Sequence, residues 1–433
     1  MKRVLLACLL AQAAFAAEPP DLLFTNATVY TANDKQPTAE AIGVKGERII
    51  FVGSSADAQQ LVRPETRVID LHGLPIFPGF TDAHCHIFGV GEREMTLNLE
   101  GTRTREAFLE KVKERATKTP ANEWITGRGW IETFWNPPHF PTAADLDEVA
   151  PNNPVFLTRA DGHAAVANSA AMKIAGVTAE TPNPFGGNIV KAENGAPTGM
   201  FVDHAMELIA RHVPPPTHEQ KEKAFSLGAK REIGLGWCEV QNPGSDYDDV
   251  EIMRRAISRG EVKLRVYNAA SGPGDAADRL LRDGAIADDH RFTMRTIKCY
   301  ADGALGSRGA ALLEKYSDAE TSGYLVNKPE DLSRVFEEAL RRGIQIQTHA
   351  IGDRANRLVL DLYEAAFKKI PPNERKGREP RWRIEHAQIL SPQDIPRFAK
   401  LGVIPSMQPS HAISDFFFAP ARLGKERLAG GYA

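Results

Sequence analysis

The sequence predicts an α/β protein: a (β/α)8 TIM-type barrel that lacks its eighth strand, preceded by a small N-terminal β unit. Three observations predict it. From Leu74 onward, helices alternate with short apolar strands, the pattern of a parallel sheet with helical crossovers. Histidines stand at the C-terminal ends of three of those strands, on the rim where barrel sites are built. Residues 21–77 are instead β-rich and turn-rich, with no helical period. The 433 residues suffice for one large domain with an accessory piece. A hydrophobic fraction of 42% and a charged fraction of 25% exclude collagen, coiled coil and disorder. A net charge of -3 leaves no basic excess for nucleic acid.

Taken in order, the chain opens with Lys2 and Arg3, an apolar stretch over 4–17 broken only by Gln12, and the small-x-small site Ala14-Phe15-Ala16. This predicts a secretory signal over 1–17, with the mature chain starting near Ala17 or Glu18. A membrane anchor is the other reading, but the run falls short of the ~20 residues a span needs. The expected location is periplasmic or secreted, with no membrane attachment after cleavage. Residues 18–77 follow as a small β part, incomplete by itself. Its strands are expected at 22–24, 28–30, 42–44, 48–52 and 67–71, with Asn33-Asp34 and Lys45-Gly46-Glu47 as turns. The barrel is expected over 78–433, with an insertion at about 90–216 that lacks simple alternation and holds some helix, for example 104–117.

Helix-then-strand units follow the insertion. Thr217-His218-Glu219-Gln220 is a capping-box start. That helix ends at Gly234, and the strand 237–241 follows. Pro329 opens a helix that ends near Gly343, before the strand 344–348. Ser391-Pro392 opens another that ends before Gly402, ahead of 403–407. With 74–81, 264–269, 296–300 and 381–384, seven strands are expected. Cys85, Cys238 and Cys299 are an odd, widely spaced trio, so buried free thiols are expected rather than a disulfide framework.

His84 and His86 lie two residues apart, so in a strand they share one face and can bind one cation. The pair alone is a weak signal, since 12 histidines give about 0.3 such pairs by chance. His349 and His386, each after its own strand, add to it by placement. Each alone reads as a hydrogen-bonded core histidine; all four together read as a metal site. Lys298 lies inside the apolar run 296–300. It either snorkels outward or sits inward as a neutral amine, which can take up CO2 as a carbamate able to bridge two metals.

These segments resemble the amidohydrolase superfamily. Pro78-Gly79-Phe80-Thr81-Asp82-Ala83-His84-Cys85-His86 is similar to its first-strand signature. The segment from Ile297-Lys298-Cys299-Tyr300-Ala301-Asp302 to Arg308 resembles the lysine segment of one branch. That branch contains N-substituted formamide deformylases and exoenzyme-regulatory relatives. Gln347-Thr348-His349-Ala350-Ile351-Gly352-Asp353-Arg354-Ala355 and Arg383-Ile384-Glu385-His386-Ala387 resemble its two histidine segments. The resemblance implies one or two divalent metals, zinc first. His84 and His86 would hold one, His349 and His386 the other, and carboxylated Lys298 would bridge. It implies hydrolysis of an amide or formamide-type C–N bond by a metal-bound hydroxide, with Lys298, His349 and His386 catalytic. His163, in Asp161-Gly162-His163, would contact the small-molecule substrate, or is a surface turn residue. Asp82 and Asp302 would orient ligands or cap backbone. A homodimer is compatible with this reading. The family also carries an aspartate after an eighth strand, and the sequence stops at Gly430-Gly431-Tyr432-Ala433 before either. A truncated or inactive relative, binding metal without efficient catalysis, is therefore the alternative.

Overall fold

The computed structural model describes residues 18–377 and 379–431. The expected signal, 1–17, lies outside the described residues. The chain divides into two compact units between Phe80 and Thr81.

In the first unit, Leu22–Thr25 pairs antiparallel with Ala41–Lys45 and parallel with Arg67–Asp70. Arg48–Gly53 extends this sheet through a hairpin closed by Gly46, which has φ 56°. Thr28–Tyr30, Thr38–Ala39 and Pro75–Ile76 form a second small sheet. Leu23, Ala41 and Ala58 pack between strand and helix. The run 74–81, expected as one barrel strand, is two strands. Pro75–Ile76 belongs to this small sheet, while Phe80–Asp82 belongs to the barrel sheet. Pro78 separates them, since it has no N–H to offer a ladder.

The second unit is built on a sheet whose main strands are, in chain order, Phe80–Asp82, Trp237–Ser245, Arg265–Ser271, Phe292–Tyr300, Gln345–Ala350, Arg383–His386 and Ile404–Ser406, the last six paired in parallel. They are referred to below as the first to seventh strands. Neighbours in the sequence of strands are neighbours in the sheet. A short strand, Ile286–Asp288, runs antiparallel along the fourth. Flat, five strand spacings would hold the first and sixth strands about 24 Å apart. Yet His84, just past the first strand, meets Glu385 of the sixth at 2.6 Å. Gln241 of the second strand meets Gln347 of the fifth at 2.8 Å. The sheet therefore curls strongly and encloses its inner face.

The outer face carries the helices. Val240, Val266, Phe292, Ile297, Ile346 and Ile384 pack against Phe336, Leu340, Val359 and Tyr363 in one continuous core. Burying each such aliphatic side chain contributes about 1.5–3 kcal/mol. Helix His218–Gly234 begins with both halves of a capping box, Thr217 and Gln220. Helix Pro329–Arg342 has Pro329 in its first turn and ends at Gly343 in the left-handed region, φ 67°. The helix expected to open at Ser391-Pro392 begins at Ile395 instead. Asp394 ion-pairs with Arg357 and Arg397 rather than capping backbone N–H groups, and 392–394 form a turn.

The insertion is more ordered than its sequence pattern implies. Helix Arg105–Ala116, capped by Thr104, occupies the expected helical stretch. Beside further short helices at Ala143–Val149, Ser169–Ala175 and Glu207–Ala210, the insertion forms a mixed six-stranded sheet in the order Gly187–Lys191, Pro197–Asp203, Ala164–Ala167, Val155–Arg159, Ile125–Trp130, Leu97–Asn98. Phe108, Trp130, Trp135, Leu157 and Val166 form its core. Ala164–Ala167 is buried at every position, so no alternation reveals it as a strand.

Cys85 and Cys299 are buried free thiols. Cys238, expected buried, is exposed. It stands at the entry of the second strand, before the continuous buried stretch that starts at Val240.

Candidate active site

The C-terminal ends of the strands bring the predicted residues together. After the first strand, Asp82 Oδ1 accepts from the His84 amide at 2.9 Å, and the Cys85 amide donates to Gln241 O at 2.9 Å. The segment is thereby pinned to the second strand. His86 then starts helix Ile87–Met95, whose first amide donates to Asn242 Oδ1 at 3.1 Å. The His84 and His86 rings lie 5.4 Å apart. His349 is the next-to-last residue of the fifth strand, with Nε2 3.2 Å from Gly303 O. His386 ends the sixth with φ 72°. That left-handed turn breaks the strand's alternation, so consecutive Glu385 and His386 both face the interior. Ring centroids run His84–His386 at 4.8 Å, His386–His349 at 4.5 Å and His349–His163 at 5.1 Å.

Lys298, in the fourth strand, is 0% exposed, and among the described residues its Nζ has no hydrogen-bond partner. It does not snorkel; it points inward, 4.5 Å from the centre of the Tyr300 ring. With His84, His86, His163, His349 and His386 it lines one cavity of about 660 Å3. Phe88, Ile131, Leu305 and Phe418 supply apolar wall.

Burial sets the charge state of this cluster. It pushes the Lys298 ammonium down to about 8, against the nearby Glu385 charge. It holds His86, His349 and His386 well below the usual imidazole range, helped by repulsion from Lys298 and neighbouring histidines. His84 is lowered by burial too, with Glu385 opposing. Burial opposes ionisation of Glu385, but its bond to His84 and the charge of Arg383, 3.0 Å away, bring its pKa below the usual value. Around Lys298 the cluster thus holds imidazoles that favour the neutral form, the carboxylate of Glu385 against His84, and an amine with no hydrogen-bond partner among the described residues. Neutral imidazole is the ligand form of histidine, so these donors fit a divalent cation.

His163 Nδ1 meets Asp203 Oδ1 at 2.6 Å, and Asp203 Oδ2 accepts from Tyr324 OH at 2.8 Å. Burial disfavours charge on His163, but Asp203 outweighs it and the net shift is upward. Asp302 is fully buried and accepts from the amides of Ile351, Gly352 and Ala311 at 2.8–2.9 Å. It ties the loops after the fourth and fifth strands, and its Oδ1 lies 3.5 Å from His349 Nε2. Asp82, Cys85 and Glu232 bring potential ligand atoms within 4.8 Å of one another. Burial pushes both the thiol and the Glu232 carboxyl upward, and a protonated thiol is a poor metal ligand.

Sequence reasoning missed several residues in or beside this cavity. Glu385 was visible only as part of a motif; a carboxylate beside a histidine in a buried strand was its signal. Asp203, Arg128 and His411 gave no local signal. Asp415 also lines the cavity and accepts from Gln388 Nε2.

The chain matches the model described as "Amidohydrolase family" over residues 67–433. It is 33% identical over 420 residues to "Protein LONG AFTER FAR-RED 3" of Arabidopsis thaliana, which covers 94% of this chain and 71% of that protein. It is 29% identical over 408 residues to "N-substituted formamide deformylase" of Arthrobacter pascens, 88% of this chain and 72% of the relative. Among solved structures, a metal-dependent hydrolase from Pyrococcus horikoshii OT3 superposes with a TM-score of 0.72 at 26% identity, covering 95% of this chain and 79% of that one.

Proposed function

Because this chain belongs to the amidohydrolase family, we propose that it hydrolyses the C–N bond of an amide or formamide-type small molecule, using one or two divalent cations. Zinc is the first candidate. His84, His86, His349 and His386 would hold the metal, with Lys298 carboxylated. The observation that carries this reading is the Lys298 amine, buried beside imidazoles and without a hydrogen-bond partner among the described residues. Its Nζ lone pair can add to CO2; loss of the proton leaves a carboxylate-like ligand and removes the cost of a buried ammonium. A bound divalent cation supplies Lewis acidity toward the amide carbonyl and acidifies a water molecule.

The remaining work belongs to side chains. Glu385 holds His84 through Nδ1, which leaves Nε2 as the ligand atom. Asp203 holds His163 in the same way, so His163 Nε2 is the nitrogen available to substrate. Phe88, Ile131 and Phe418 keep water from the substrate's apolar part. The same reading makes the curled sheet a (β/α)8 barrel, seven of whose strands are among the described residues.

A panel of amides and formamides, run on metal-loaded and chelator-treated protein, tests the proposal. Metal-dependent release of amine from at least one of them is expected. A fully metal-loaded protein that releases none would count against it.

A further inference from the structure

Resting on the hydrolase reading above, we propose that Arg128 is the anion anchor of the substrate pocket, and that the substrate is an amide bearing a carboxylate away from its scissile bond.

Arg128 lies in the insertion strand Ile125–Trp130 and lines the same cavity as the histidines. The strand slips register between Arg128 and Trp130, with Gly129 at φ 112°. Such a bulge re-aims a side chain, a device common beside active sites. The guanidinium sits against two backbones that carry no side chain. A Cβ on Gly162 would lie 2.9 Å from Nη2, and one on Gly89 would lie 3.4 Å from Nη1.

The charge is not cancelled. Of five N–H donors, the one bond among the described residues is Nη2 to Ala160 O at 3.2 Å. The contrast with Arg159, on the same cavity wall, is direct: Glu132 and Asp161 both pair with that guanidinium. Glu92 also lines the cavity, but among the described residues it forms no ion pair with Arg128. Asp161 is committed to Arg159, and Asp249 to Lys221 at 2.8 Å. Burial disfavours the Arg128 charge, and Asp161 and Glu92 offset only part of that effect.

A half-buried guanidinium with free donors in a pocket selects a planar anion, and a carboxylate matches its fork. In the reaction, the amide C–N bond breaks and a C–O bond forms to water oxygen. The amine leaves with a proton from that water. The anchored carboxylate is unchanged throughout, so it contributes to binding rather than to chemistry.

The test compares a benzylformamide carrying a ring carboxylate with its neutral carboxamide twin. Turnover and calorimetric binding of both are measured on the metal-loaded protein and on R128Q and R128K. The native protein should favour the carboxylate by roughly 10- to 100-fold in KM or Kd, the usual worth of a charged hydrogen-bonded pair. R128Q should bring the two compounds to near parity, and R128K should retain part of the preference. Equal binding of the twins by the native protein would overturn the proposal, as would a preference that survives in R128Q. If neither compound is hydrolysed but the carboxylate preference appears in calorimetry, the hydrolase reading fails and the anchor stands.

Discussion

Glu385 is 0% exposed, bonds His84 Nδ1 at 2.6 Å, accepts from Ser406 Oγ at 3.0 Å and faces Arg383. An ionised carboxylate here fixes the His84 tautomer and raises the basicity of the other ring nitrogen. Glu385→Gln should therefore lower metal affinity by about 10–100-fold, read by titration with a competing chelator. Unchanged affinity would show that His84 needs no such partner. Lys298 gives a pH prediction whose sign follows from its charge. Its pKa is pushed down to about 8, so the neutral amine that can capture CO2 grows as pH rises toward 8. Burial holds His86, His349 and His386 well below their usual values, so they favour the neutral ligand form. Metal uptake by chelator-stripped protein in bicarbonate should thus rise between about pH 6 and 8, and Lys298→Met should flatten that rise. A rise that persists in Lys298→Met would assign it to another group.

Among the elements, helix Ile87–Met95 links the His84-His86 segment to the body of the fold, and it lies backbone to backbone against helix His218–Gly234. A Cβ on Gly228 would fall 2.2 Å from Ile87 O, and one on Gly91 would fall 1.7 Å from Ala224 O. Neither backbone can give way without moving the helix that starts at His86. Gly228→Ala should cost about 1–3 kcal/mol in denaturant unfolding, the usual cost of overpacking, and should weaken metal binding with it. A stable variant with full metal affinity would mean that the two helices slide freely. Much at this scale is legible in the sequence because the signals are local. The Thr217–Gln220 box, Pro329 and Gly343 mark helix ends that the structure places within a residue or two. The Ser391-Pro392 start is off by three residues because Asp394 is drawn into ion pairs with Arg357 and Arg397, which no local pattern shows. The insertion sheet is illegible for a related reason. Its strands are short, buried on both faces or glycine-interrupted, and periodicity needs one wet face.

At the scale of the second unit, one cavity gathers residues from far-separated parts of the chain: His84 and His86, Arg128 and His163 of the insertion, Lys298, His349 and His386. His84, His86, His349, His386 and Lys298 could be singled out in the sequence because each sits on or just after a strand whose end faces the rim. Arg128 and Asp203 could not, because their relation to the cavity depends on how the insertion folds over the strand ends. The electrostatic design also belongs to this scale. A curled sheet buries its inner face, which lowers the pKa of the His84, His86, His349 and His386 imidazoles and leaves the Lys298 amine without a hydrogen-bond partner among the described residues.

The central claim is that this cluster holds the metal on which activity depends, and elemental analysis tests it most directly. The protein, purified in the presence of zinc and bicarbonate, is compared with a variant carrying His84→Ala, His86→Ala, His349→Ala and His386→Ala together. Native protein should retain one to two divalent ions per chain through gel filtration, and the quadruple variant, still folded by circular dichroism, should retain none. A folded quadruple variant with the full metal content of the native protein would contradict the account.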